Sequence, residues 1–87
     1  MTPASTKTLT NNNSGTVTIG GTLTLTGNFT QGSNTPTLVL SGATPISGAG
    51  TFNASTNPNT VNYAGASQAV KAVTYSNLLL SGSGTKT

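Results

Sequence analysis

The chain has 87 residues and contains no aspartate, glutamate, histidine or cysteine, so the groups that carry most general acid–base, thiolate and metal chemistry are missing. Its net charge of +3 comes from Lys7, Lys71 and Lys86, which are too few and too separated to track a phosphate backbone and argue against nucleic-acid binding. Only 32% of residues are apolar and 5% aromatic, too little for a thick core, and no apolar run reaches the length of a membrane span.

Low hydrophobicity without high net charge does not read as disorder. The polar residues are mainly threonine, serine, asparagine and glycine, and β-branched threonine favours extended backbone. Taken along the chain, "MTPASTKT" has no apolar core of a secretory signal. The first strands are Thr16-Val17-Thr18-Ile19 and Thr22-Leu23-Thr24-Leu25-Thr26, where alternation sends apolar and hydroxyl side chains to opposite faces. Further strands are expected at Thr37–Leu40, Thr51–Asn53, Thr60–Tyr63, Gln68–Lys71 and Asn77–Leu80. Turn-forming stretches such as "QGSNTP", "SGATPISGAG" and "ASTNPN" separate them, and no segment carries a helical period.

Longer regularities overlie the strands. Gly15, Gly21 and Gly27 recur every six residues, as do Gly42 and Gly48. "LVLSG" at 38–42 returns as "LLLSG" at 78–82, and Thr-Lys-Thr stands at both 6–8 and 85–87. These repeats predict an all-β single unit over 1–87, with two halves of about forty residues at 1–40 and 41–80 as one division. The favoured architecture is a short parallel β-solenoid (β-helix-like), in which turns of roughly 20 residues share a narrow core and about four turns fit the chain. An antiparallel β-sandwich of about seven strands is the alternative.

Residues 59–87, "NTVNYAGASQAVKAVTYSNLLLSGSGTKT", carry a family resemblance. They resemble the repeats of large bacterial surface proteins, the filamentous-haemagglutinin-like and autotransporter-like adhesins with β-helical stalks. That resemblance implies an exported structural role at the cell surface or outside a bacterial cell.

Function narrows mainly by elimination. A Ser-Lys pair is the one nucleophilic arrangement left, but Ser67/Lys71 and Ser83/Lys86 lie too far apart in extended chain, so no catalytic residue, cofactor or metal site is expected. Thr-x-Thr pairs at 16/18, 22/24/26 and 35/37 raise ice binding as a lesser reading. Phe29, Phe52, Tyr63 and Tyr75 read as core side chains rather than a carbohydrate platform. The sequons at Asn12, Asn28 and Asn53 are what such a composition produces by chance.

A solenoid without caps ends in unpaired strand edges. The main expectation is therefore an extracellular subunit that stacks head to tail with copies of itself, with no nucleic acid and no membrane insertion. The residues expected at the joint are Thr6, Lys7, Thr8 and Leu9 at one end, and Leu78, Leu79, Leu80, Thr85, Lys86 and Thr87 at the other. A stalk repeat of a larger adhesin is the alternative.

Overall fold

The computed structural model describes Thr2 and residues 7–87. Among the described residues nine short strands run in chain order, β1 Thr8–Asn11, β2 Thr16–Ile19, β3 Leu23–Thr24, β4 Asn28–Gln31, β5 Thr37–Leu40, β6 Ile46–Ser47, β7 Thr51–Asn53, β8 Thr60–Tyr63 and β9 Asn77–Leu80. They form three parallel sheets in the orders β1-β4-β7, β2-β5-β8-β9 and β3-β6. Through β8 every third strand returns to the same sheet one layer on, and β9, the next strand after β8, pairs directly with it; the arrangement is a β-solenoid of roughly three turns. All strand pairs among the described residues are parallel, which excludes the antiparallel sandwich.

Register is fixed although turn length is not. Thr8 faces Asn28, Thr16 faces Thr37, Thr37 faces Thr60 and Thr60 faces Asn77, so successive returns advance the chain by 20, 21, 23 and 17 residues. Corners absorb the differences. On the β2-β5-β8-β9 sheet, alternation builds two inner columns, Val17–Leu38–Val61–Leu78 and Ile19–Leu40–Tyr63–Leu80. On the first sheet Leu9 faces Phe29 and Phe29 faces Phe52. The Phe29 and Phe52 rings stack at 5.6 Å, and Tyr75 continues the series at 6.3 Å from Phe52. Phe29, Phe52 and Tyr63 are buried, so these aromatics fill the core. Side chains of this size in single file explain how a thin interior excludes water with few apolar residues.

Two devices hold the corners. Where the first sheet passes to the second, an amide of each later turn donates to a carbonyl of the turn before it. Asn34 Nδ2 reaches the Asn12 carbonyl at 2.8 Å, Asn57 Nδ2 the Gln31 carbonyl at 3.2 Å and Asn77 Nδ2 the Asn59 carbonyl at 3.0 Å. The buried Gln68 ties the next corner, donating to the carbonyls of Leu40 and Gly42 and accepting from the Gly65 amide. These bonds tie main-chain carbonyls at the bends to the neighbouring turn, the Leu40 carbonyl accepting the Ala64 amide as well.

The second device is a block of six residues that closes each layer of the second sheet: TVTIGG at 16–21, TLVLSG at 37–42, TVNYAG at 60–65 and NLLLSG at 77–82. The 38–42 and 78–82 echo is two members of this set, two layers apart. Its final glycine allows turns to approach closely: a methyl on Gly42 would collide with the carbonyls of Gly20 and Gly21 one layer below.

The observed strands depart from expectation in particular places. The segment expected at Thr22–Thr26 pairs only at Leu23–Thr24, and Gln68–Lys71 reduces to an isolated bridge from Gln68 to Lys86. Thr35 has φ 52° and sits at a corner, so Thr35 and Thr37 are not a pair on one strand face. Strands β1, β4 and β6 were not expected from sequence.

Gly42→Ala is expected to lower stability by about 1–3 kcal/mol, since the neighbouring backbone must move. Gly21→Ala, with open space around its Cβ position, stays within about 0.5 kcal/mol of the parent. Urea titrations of the two variants followed by far-ultraviolet circular dichroism test the contrast.

Candidate functional site

An inner side chain of a solenoid is enclosed most fully when a turn lies on both sides of it; in the first layer Ile19, Leu23 and Leu25 are buried all the same, whereas the last strand of the second sheet leaves its inner leucines exposed. In β5 and β8 the inner residues Leu38, Leu40, Val61 and Tyr63 are 0% exposed. In β9, the last strand of the same sheet, Leu78 is 43% exposed and Leu80 is 48% exposed, although both point along the same inner columns. Leu79, 50% exposed, lies instead on the outer face beside Asn62. At the opposite end Leu9 is 37% exposed. Beneath it lies an open cavity of about 140 Å³ lined by Leu9, Thr10, Asn11, Val17 and Phe29.

The described residues among those expected at a joint lie in the first strand and in or after the last. Lys7 is exposed, and its carbonyl accepts the Asn28 amide at 2.8 Å; Thr8 and Leu9 follow in β1. Thr6 lies outside the described residues. Residues 85–87 run along Gln68: the Gln68 amide donates to the Thr85 carbonyl at 3.0 Å and the Thr87 amide to the Gln68 carbonyl at 3.1 Å. Lys86 folds back over the corner, where its Nζ donates to the carbonyls of Gly65, Ala66 and Ser83 at 2.9, 2.6 and 2.7 Å. The side chain thus fastens the last bend to the turn below. Sequence reasoning grouped Leu78–Leu80 as one apolar trio and missed the cavity at the first turn, which is assembled from β1, β2 and β4.

The two tyrosines near the last turn form a closed ring of bonds. The Lys71 amide donates to the Tyr63 hydroxyl at 3.2 Å, the two hydroxyls lie 2.6 Å apart, and Tyr75 donates to the Lys71 carbonyl at 2.8 Å. Since the Tyr75 proton goes to that carbonyl, Tyr63 donates to Tyr75. Desolvation by burial, followed by the bond to Tyr63, pushes the Tyr75 hydroxyl far above the ordinary phenol range. The Lys86 Nζ faces main-chain carbonyls, and the Ser67 hydroxyl accepts the Thr85 amide at 3.2 Å.

The outer face of the second sheet carries Thr16, Thr37, Thr60 and Asn77 in one column and Thr18, Val39, Asn62 and Leu79 in the other. The threonine pair of β2 therefore does not extend into a two-column hydroxyl array. Comparison with family models, curated proteins and solved structures finds no match to this chain.

No side chain of the sequence has an ordinary pKa between about pH 4.5 and 8, so stability is expected to change little there. Above about pH 10 the unfolded chain ionises Tyr75 while the folded chain keeps it neutral, so stability falls as pH rises. Urea midpoints at pH 6, 8, 10 and 11 check this, and Tyr75→Phe is expected to flatten the alkaline fall.

Proposed function

We propose that the chain is a structural subunit that stacks end to end with copies of itself into a β-rich filament. The observation that carries this reading is β9: an edge strand, paired with β8 on one side and with no described strand on the other, whose inward leucines are nearly half exposed while the same columns one layer below are sealed. Covering Leu78 and Leu80 removes about half a leucine surface each, worth roughly 1 kcal/mol apiece. A further strand also satisfies the row of main-chain donors and acceptors along the edge. The other end offers Leu9 and an apolar-walled cavity, so the two faces differ and an interface between them does not close on itself.

The subunit acts outside the cell or at a bacterial cell surface, a location supported by the resemblance of residues 59–87 to adhesin stalk repeats. Its work is mechanical rather than catalytic, and neither nucleic acid nor a bilayer is among its partners. A chain without acidic side chains has little electrostatic discrimination against other copies, which suits self-association.

Electron microscopy of the purified chain across concentration tests the proposal: uniform filaments with an axial repeat support it, and dispersed particles at every concentration overturn it. Leu80→Lys is expected to abolish filaments while shifting the thermal midpoint little, because this side chain is already half exposed and a charge at the edge opposes strand addition.

A further inference from the structure

Resting on end-to-end stacking, we infer that the joint is a direct extension of the second sheet, in which β2 of the next copy pairs in parallel with β9 so that its Thr16 faces Asn77 and its Ile19 faces Leu80. The occupant of the β9 edge is a second copy. The interface it extends is the turn-on-turn contact the chain already uses three times.

Three features fix the register. First, the inward positions of the two end strands are Val17 and Ile19 on β2, and Leu78 and Leu80 on β9. Pairing them continues both inner columns through the joint, whereas a one-residue slip turns every apolar side chain outward. Second, the hydrogen bonds of this sheet follow one rule: the later strand donates to the carbonyl before its partner. Thr37 donates to Gly15 at 3.1 Å and Thr60 to Pro36 at 3.0 Å, while Ser81 donates to Tyr63 at 3.0 Å. Applied to the joint, the Thr16 amide of the next copy meets the Ser76 carbonyl and its Gly20 amide meets the Leu80 carbonyl. Third, the cavity beside Val17 and Phe29 opens at the end that this register brings over the β9 end, where Leu78 stands beneath Val17. A two-residue slip keeps the inward parity but leaves two inner residues without a partner strand residue, Val17 and Leu80 in one direction and Ile19 and Leu78 in the other.

The absence of cysteine makes this register directly readable. Thr16 and Asn77 lie on the outer, exposed face, so a Thr16→Cys/Asn77→Cys double variant leaves the inner columns intact while giving up the Asn77 Nδ2 bond to the Asn59 carbonyl. Within one chain the two positions are three strand spacings apart, about 14 Å, too far for a disulfide. Across the inferred joint they are about 4.8 Å apart, within disulfide range.

Mild oxidation followed by non-reducing electrophoresis is expected to give a ladder of covalent oligomers that reductant collapses. Either single variant gives dimers at most, and Thr18→Cys/Asn77→Cys gives at least tenfold less ladder. Filaments by microscopy without a Thr16–Asn77 ladder, or with a stronger Thr18–Asn77 ladder, overturn the register and leave end-to-end stacking standing. Absence of both filaments and ladder in the parent and the double variant overturns the stacking itself.

Discussion

The structure depends on one constraint: each turn must lie in parallel register on the turn before it, because no turn can bury its own apolar face. A strand of four residues has two inward side chains, and in β5 and β8 those two are sealed by neighbours above and below. Main-chain hydrogen bonding between layers and the inner columns enforce the same alignment. The corners answer to neither, which is why returns of 17 to 23 residues coexist with an unbroken register. Amide side chains and glycines at the bends translate that freedom into order, the first by tying one layer to the next and the second by letting backbones meet.

The same constraint makes the ends unlike the middle. A globular core is closed by its own geometry, but a stack has a first and a last layer whose inner side chains are finished on one side only. The two end layers of this chain are unlike: the inner leucines of β9 are nearly half exposed, whereas in the first layer Leu9 is exposed but Ile19 is buried, and strand direction gives the stack a polarity. Lys86 is the one charged group drawn into the last bend, and it is consumed by three carbonyls of its own chain. It strengthens the final corner rather than standing guard over the edge.

Much of this was legible in the residues. Alternation marked β2, β7 and β8 with their bounds, and the short apolar runs TLVL and NLLL between turn-forming residues marked β5 and β9. Strand β4 was hidden because one of its inward residues is Gln31, a buried amide that the pattern counts as polar and that accepts from Asn11 at 2.9 Å. Strand β6 is two residues inside a proline- and glycine-rich stretch. The six-residue block was seen only at two of its four sites, because unequal corner lengths defeat a search at fixed period and Tyr63 or Ile19 can stand where leucine does. The leucine-rich end was legible as apolar, but the cavity at the other end joins residues from three strands and has no local signature.

The tyrosine ring around Lys71 has a further consequence for durability. Of the three basic residues, Lys7 and Lys86 lie near the ends of the sequence, so a digestive protease that cuts after lysine or arginine finds a single target within the body of the chain. That target is held on both sides. The Lys71 amide is bound to Tyr63, and its carbonyl accepts both the Tyr75 hydroxyl and the Val73 amide. A protease must draw the bond into an extended conformation in its cleft, which here means opening the ring that joins two turns. Cleavage after Lys71 in the folded chain therefore requires those bonds to open first.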